Sequence, residues 1–312
     1  MKNKKYKSFV IILAITLLAI SLNSCGGNSE ELEQGTSQES MDSNERIIFE
    51  DSMMEVLIQT AFDKQEIYTE DAAKVTSLTI CSDSLVLIDN INYDNVNDPR
   101  LILIRDDTYE FDGKKHTEVG TIKTLVDLSH FKNLDNLKIY LQPEIDFSTL
   151  SDKKKYNNIQ FGMNQIKSLS FLEGCTELMW LGLSNNDISD LSGTEGLVQL
   201  KSLWLNSNQI ADISLLENLT KLERLDLTYN QVVDISPVEH LANLETLSLY
   251  KNKVEDVSPI AGLTKLKDVS LVGNNIHDVS SLKEFQSFER LDLSGNPVDN
   301  IEEIDHIEGL IY

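Results

Sequence analysis

The chain is poor in the residues that carry catalysis or lock small folds together. It has three cysteines (Cys25, Cys81 and Cys175) and five histidines in 312 residues, and three cysteines do not build a disulfide framework. The sequence contains no glycine-rich phosphate loop, no closely spaced cysteine pair for a metal, and no evident pairing of a nucleophile with a histidine base. We therefore predict that the protein is not an enzyme and that it binds no cofactor and no metal.

Basic residues are scarce as well. The chain has 27 Lys and Arg residues against 51 Asp and Glu residues, a formal net charge of −24. So negative a surface repels phosphates, which argues against nucleic acid as a partner. The balance favours solubility and is compatible with a basic partner.

The sequence also lacks an apolar run long enough to span a bilayer. The longest run, residues 9–22, has about 14 residues where a spanning helix needs about 20. Four lysines precede it, so residues 1–24 are predicted to be a secretory signal peptide. Its removal takes away those four lysines and no acid, which leaves 23 basic and 51 acidic residues and a net charge of −28.

The end of this run, Leu22-Asn-Ser-Cys25, resembles the lipobox of bacterial lipoproteins. The resemblance implies that Cys25 carries diacylglycerol and that the chain is cut before it, which gives firm anchoring in a membrane. The alternative is an ordinary signal peptide with an incidental cysteine. Residues 25–46 are rich in Ser, Glu, Gln and Gly, and we predict a disordered tether with a reach of about 25 Å.

Internal repeats of 22 residues fill the rest of the chain. The unit that begins at Leu200 places apolar residues at Leu203, Leu205 and Ile210 and an asparagine at Asn208. Seven units keep the asparagine, at Asn164, Asn186, Asn208, Asn230, Asn252, Asn274 and Asn296, and an eighth unit from Leu134 has Gln142 in its place. Such regularity predicts a solenoid of stacked coils.

Each repeat position has a physical role. Leucines that alternate with polar residues indicate a strand with one buried face, and the asparagine amide can bond backbone groups where the chain turns. The segments Asp-Ile-Ser-Pro and Asp-Val-Ser-Pro predict a serine N-cap and a proline in the first turn of a short return helix. The aspartates that begin these returns (Asp190, Asp212, Asp234, Asp256 and Asp278) are interpreted as capping residues rather than cation ligands.

This pattern resembles the 22-residue leucine-rich repeats of the internalin family over roughly residues 48–312. The resemblance implies an α/β solenoid, or horseshoe, with a parallel concave sheet, short helical turns on the return face and a helical amino-terminal cap. Residues 47–80 are predicted to form that cap. Its first helix spans 49–62 with an apolar stripe of Met53, Val56, Leu57 and Thr60, its second begins at Thr69 as N-cap, and its first strand covers residues 75–80.

Residues 81–121 do not fit the repeat and imply an insertion of 37 residues, after which repeats occupy 122–312. The apolar runs 85–88 and 101–104 could pair as a hairpin. The acidic stretch 89–98 is either a polar loop or a weak calcium candidate, since it lacks the glycine and glutamate of an EF-hand loop. No wall-sorting motif follows the repeats, so attachment is expected through Cys25 alone.

The repeat phase also places the remaining cysteines and histidines. Cys175 falls on a core leucine position, and Cys81 lies several coils away, beyond disulfide reach at about 4.8 Å per coil. His130, His240 and His306 share one coil position but are separated by about 24 and 14 Å, too far to share a metal.

The outward face of the sheet is the best candidate site. Trp, Tyr and Arg dominate binding hot spots, and the outward positions hold Tyr140, Trp180, Trp204, Asn206, Arg224, Asp226, Tyr229, Tyr250 and Lys251, followed by Asp268, Arg290 and Asp292. These aromatic residues either dock a partner or only pack across strands. The family resemblance implies docking, because internalins bind partners on the concave sheet.

We therefore expect an extracytoplasmic, lipid-anchored surface protein, monomeric, that binds a protein ligand of the host or the envelope. The alternative is a glycan- or peptide-binding surface lipoprotein in which the tryptophans stack on sugar rings. A third possibility, an intracellular phosphatase regulator with similar repeats, conflicts with the predicted signal peptide.

Overall fold

The protein is described by a computed structural model over residues 44–82, 84–87, 103–105, 108–111, 114–116 and 119–312. One sheet of 11 strands runs through it in the order β14-β13-β12-β11-β10-β9-β8-β7-β6-β1-β2. The strands are β1 Ser77–Cys81, β2 Ser84–Leu87, β6 Asn136–Tyr140, β7 Asn158–Gly162, β8 Trp180–Gly182, β9 Ser202–Trp204, β10 Arg224–Asp226, β11 Thr246–Ser248, β12 Asp268–Ser270, β13 Ser287–Asp292 and β14 Glu308–Ile311.

The 22-residue period sets the register of this sheet. Leu203 of β9 pairs with Leu225 of β10, and Leu225 pairs with Leu247 of β11, all in parallel strands. Every leucine of this row is buried, as are the phase-setting residues Ile122 and Leu125 at the resumption of the repeat. The predicted leucine-rich-repeat solenoid with its parallel sheet is confirmed.

The return segments are short 3₁₀ helices rather than α-helices. They span Val126–His130, Phe147–Thr149, Lys153–Lys155, Ser170–Leu172, Ser214–Leu216, Ser236–His240, Ser258–Ile260, Ser280–Leu282 and Ile301–Glu303. Side chains at i and i+3 eclipse each other in a 3₁₀ helix, which limits such helices to a few residues. A short helix of this kind fits a coil that has only 22 residues.

The prediction that serine is the N-cap of these turns is wrong. Ser236 is the first helical residue, and the carboxylate of Asp234 accepts its backbone N–H at 2.8 Å. The same bond joins Asp278 to Ser280, where it lowers the pKa of the Asp278 carboxyl. The aspartates therefore cap the return turns, as interpreted from the sequence.

The amino end carries α1 (Ser52–Phe62) and α2 (Thr69–Ala72). The side chain of Asp51 accepts the backbone N–H groups of Met53 and Met54 at 2.9 and 3.1 Å and so begins α1. The buried stripe of α1 is Met54, Leu57 and Ile58. The predicted stripe was wrong at Val56 and Thr60, which are exposed, because the helix turns the face with Met54, Leu57 and Ile58 toward the core.

Thr69 is not the N-cap of α2, since it is the first residue of that helix. Tyr68 holds the cap position, and its backbone N–H donates to the Asp71 carboxylate at 3.2 Å. The Thr69 hydroxyl instead accepts the backbone N–H of Glu45 at 3.2 Å.

Two buried carboxylates join the helical end to the first repeat. Asp127 accepts the backbone N–H groups of Glu50 and Asp51 at 2.8 and 2.9 Å. Asp51 in turn accepts the N–H of Lys123 at 2.7 Å. Charge-assisted bonds of this kind are about twice as strong as neutral ones, so they fix the helical end on the first coil.

The hairpin predicted between runs 85–88 and 101–104 is absent from the described residues. β2 pairs antiparallel with β1 instead. Residues of the second run belong to β3 (Leu103–Arg105), which forms a separate antiparallel sheet with β4 (Thr108–Phe111) and β5 (Lys114–His116). None of the helices found in these residues has both the length and the apolar character to cross a bilayer.

Candidate binding surface on the sheet

The outward face of the sheet places both tryptophans on adjacent strands. Trp180 lies between Asn158 and Ser202 across the sheet, and Trp204 lies between Gly182 and Asp226. Their positions differ by one strand spacing across the sheet and by two residues along the strand. These spacings give about 8 Å between their Cα atoms. Both indoles are half-buried, so each has one part packed on the sheet and one part open to a partner.

Two tyrosines continue this line in the next two coils. The rings of Tyr229 and Tyr250 meet edge to face, with centroids 5.0 Å apart and an interplanar angle of 74°. The hydroxyl of Tyr229 donates to that of Tyr250 at 3.3 Å, which raises the pKa of Tyr229. Tyr229 is 51% exposed. We call Trp180, Trp204, Tyr229 and Tyr250 the aromatic stripe.

Tyr140 lies apart from this stripe, at the amino end of the sheet. Its hydroxyl donates to Gln160 Oε1 at 2.8 Å, and its ring covers Gly162, where a Cβ would come within 2.9 Å of Tyr140 Cδ1. The outward residues Thr79 and Lys138 beside it are buried, at 2% and 4% exposure. Burial lowers the pKa of Lys138 to about 8. Tyr140 itself is half-buried, as Trp180 and Trp204 are, so part of its ring stays open at this end of the face.

Charges on the face are nearly balanced and mostly paired between neighbouring coils. Residues 201–207, 223–229, 245–251, 267–273 and 289–295 together hold five basic and six acidic residues, a net charge of −1 in a chain of −24. The ion pairs are Lys201–Glu223 at 3.3 Å, Lys267–Glu245 at 2.8 Å, Arg290–Asp268 at 2.9 Å and Arg224–Glu223 at 4.0 Å. Lys251 forms no ion pair within the described part of the chain.

Three other predicted contact residues differ in availability. The Asn206 amide oxygen accepts the Ser184 hydroxyl across coils, and Asp226 accepts the backbone N–H of Thr228 at 2.9 Å. Both side chains thus have internal partners. Arg224 is exposed and extends from the centre of the face, so it is the most available polar side chain of the three.

The asparagines form a continuous ladder inside the solenoid. The amide nitrogen of Asn230 donates to Leu205 O at 2.9 Å and to Leu227 O at 3.0 Å, and its oxygen accepts the N–H of Ile210 at 3.0 Å. The same pattern recurs at Asn208, Asn252, Asn274 and Asn296. These side chains are committed to the backbone, so the ladder is structural and is not part of the binding surface.

Comparison with known proteins assigns the repeats. The family model described as Leucine Rich repeats (2 copies) matches residues 180–218, 198–240, 220–262 and 242–284. Internalin C2 of Listeria monocytogenes is 25% identical, with a TM-score of 0.57 over 80% of this chain and 93% of that one. Internalin InlF of the same organism is 24% identical, with a TM-score of 0.60 over 85% of this chain and 82% of that one. The chain is an internalin-like leucine-rich-repeat protein.

A leucine-rich-repeat protein of Leptospira interrogans shares the fold less fully, with 22% identity and a TM-score of 0.50 over 59% of this chain and 50% of that one. Comparison with curated protein sequences gives no match.

The internalin-like repeat contains two adaptations that the sequence pattern did not reveal. Gln142 takes the ladder position of its coil, where it donates to Ser82 O at 2.6 Å and accepts the N–H of Ile122 at 3.1 Å. Lys155 donates to Leu128 O and Phe131 O, both at 3.0 Å, and so closes the preceding return turn. The loss of a ladder asparagine at 142 was the available signal for the first.

The two cysteines within the described residues lie in the core. Cys81 and Cys175 are free and fully buried, and burial raises the pKa of Cys81 to about 12 and that of Cys175 to about 11. Within residues the structure describes, no three His, Cys, Asp or Glu side chains gather as metal ligands. Cys25, the signal peptide, residues 25–43 of the tether and the acidic stretch 89–98 lie outside the described residues.

Proposed function

We propose that this internalin-like protein is a surface lipoprotein, anchored through Cys25, that binds a protein partner on the outward face of its sheet between β8 and β13. The observation that carries the proposal is the aromatic stripe. Both tryptophans of the chain and two tyrosines fall on one face within four consecutive coils. Partly exposed Trp and Tyr beside an exposed Arg have the composition of a binding hot spot.

The charge distribution of the face does not require a basic partner. The face is near neutrality while the rest of the chain holds the acidic excess. Cross-coil ion pairs such as Lys267–Glu245 satisfy most of the charges before any partner arrives. Binding energy would then come chiefly from burial of the aromatic rings, with Arg224 as the main polar contact.

Partner capture tests this proposal. The full-length protein with Cys25→Ser, immobilised and exposed to envelope and host extracts, is compared with the Trp180→Ala/Trp204→Ala double variant. The matched control is Val198→Ala/Val233→Ala, which removes two exposed apolar side chains, 44% and 49% exposed, outside the strands. We expect the control to retain a protein that the tryptophan variant loses, with circular dichroism confirming that both are folded.

Arg224→Glu provides a second variant that leaves ring packing untouched. It should weaken the same capture at least tenfold. Equal retention by the wild type, the tryptophan variant and Arg224→Glu would reject the sheet face as the site. Quenching of tryptophan fluorescence by oligosaccharides, with no protein captured, would support the glycan-binding alternative.

The anchor is tested separately. Cells that express the wild type and Cys25→Ala are fed an alkyne fatty acid, and the purified chains are examined for label. The proposal predicts label on the wild type alone and membrane release of the variant. Label on both chains, or on neither, would contradict acylation at Cys25.

A further inference from the structure

One corner of the outward face combines two hydroxyls and a cation. Tyr229 donates its hydroxyl hydrogen to Tyr250 at 3.3 Å, so the hydrogen of the Tyr250 hydroxyl remains available to an acceptor. The Lys251 ammonium lies 5.9 Å from the centroid of the Tyr250 ring. We call Tyr229, Tyr250 and Lys251 the Tyr–Lys cluster.

Lys251 differs from the other cations of the face. Lys201, Arg224, Lys267 and Arg290 each lie within 4.0 Å of a carboxylate oxygen from the same or a neighbouring coil. No such carboxylate contacts Lys251 among the described residues, although acidic residues outnumber basic ones almost two to one in the chain. The cluster therefore presents an exposed positive charge whose counterion is external.

The cluster lies on a left-handed turn that recurs in every coil from residue 141 to residue 295. Tyr229 and Lys251 have φ of 53° and 56°, a left-handed backbone conformation that residues other than glycine rarely adopt. The next two coils place Gly273 and Gly295 at the same position, with φ of 67° and 72°. The side chain of Lys251 lies across Gly273, where a Cβ would come within 3.0 Å of it. Four earlier coils also hold residues other than glycine at this left-handed position, at Leu141, Met163, Asn185 and Ser207, so the turn is a feature of the repeat and the Tyr–Lys cluster is distinguished by its side chains alone.

We propose that the Tyr–Lys cluster receives the carboxylate of an acidic side chain on the protein partner. Lys251 supplies the charge and Tyr250 donates a hydrogen bond, while Tyr229 holds the Tyr250 ring in place. This inference rests on the proposed function and adds the chemistry of one contact to it. The cluster shares Tyr229 and Tyr250 with the aromatic stripe, so one partner surface reaches both.

A minimal probe tests the contact without knowledge of the partner. The isotope-labelled full-length protein is titrated with N-acetyl-glutamate-N-methylamide and with its uncharged glutamine analogue at constant ionic strength, and amide resonances are followed by NMR. We expect saturable shifts at residues 229, 250 and 251 with the glutamate probe, and at least fivefold weaker binding of the glutamine probe.

Two substitutions separate this contact from general electrostatics. Lys251→Met keeps a non-glycine residue in the left-handed backbone and should abolish the response, whereas Lys267→Met removes a paired cation and should leave it unchanged. Equal affinity for both probes, an unchanged response in Lys251→Met, or shifts spread outside the cluster would each overturn the inference. If the probe binds as expected but partner capture fails, only the proposed function falls. If capture succeeds and Lys251→Met retains the partner with full affinity, only the contact falls.

Discussion

Replacement of Asn230 by alanine isolates the energetic role of the asparagine ladder. Its amide nitrogen bonds Leu205 O and Leu227 O, and its oxygen accepts the N–H of Ile210. Leu205 O keeps a second donor from Asn208, and Leu227 O keeps one from Asn252. The N–H of Ile210 therefore loses its acceptor, while each carbonyl loses one of two donors.

The expected cost follows from this asymmetry. A buried N–H without an acceptor costs about 2 kcal/mol, and each lost neutral hydrogen bond costs about 1 kcal/mol. Asn230→Ala should therefore lower the free energy of unfolding by about 4 kcal/mol. In a chain of this size that corresponds to a fall of roughly 10 °C in the melting temperature.

Denaturant titration measures this loss. Tryptophan fluorescence reports on the coils beside residue 230, and far-ultraviolet circular dichroism tests whether the whole solenoid unfolds in the same transition. Asn275→Ala is the control, because its side chain is exposed and makes no hydrogen bond within the described residues. It should change stability by less than about 0.5 kcal/mol. A loss below about 1 kcal/mol in Asn230→Ala would refute the ladder as a stabilising element.

Three further predictions concern buried or strained groups. The Tyr156 hydroxyl is buried and has no hydrogen-bond partner among the described residues, so Tyr156→Phe should raise stability by about 1 kcal/mol in the same titration; a loss of stability would reveal a bond at that hydroxyl. Ser207 has φ of 58°, and Ser207→Gly should stabilise by up to about 1 kcal/mol because glycine adopts this conformation without strain; a lower unfolding midpoint would contradict this. At pH 8, Cys81 with a pKa of about 12 should react with a disulfide reagent about a thousandfold more slowly than an ordinary thiol, and in Cys25→Ser chains both Cys81 and Cys175 should react only after unfolding; rapid labelling of the native chain would refute burial.

The repeated part of the fold was predictable because one pattern occurs many times. Leu203, Leu225 and Leu247 occupy the same position in successive units, so the strand, its buried face and its register with its neighbours follow from the period alone. The asparagine turn and the aspartate that begins each return follow in the same way. At nearly every coil, the tertiary packing then agrees with the secondary structure that the local sequence prefers.

The single-copy segments were less predictable, since no repetition fixes their partners. The apolar runs near residues 85 and 103 could each pair with several strands. In the structure, β2 pairs with β1 at the edge of the sheet. Alternation marks Thr79 and Lys138 as outward residues, but it carries no information on what covers them. The extent of the binding surface at its amino end, with Tyr140, stays a prediction.

The asparagine ladder gives the solenoid a polarity, because each asparagine bonds backbone groups of the coil before its own. Asn252 completes backbone groups of the coil before it, through Val232 N and Leu227 O, and Asn274 does the same one coil later through Val254 N and Leu249 O. A coil thus becomes fully satisfied only when its successor has docked. During synthesis, when the chain emerges amino end first, each new coil would supply the hydrogen bonds that the coil before it lacks. The ladder therefore makes the backbone bonding of each coil depend on the coil that follows it.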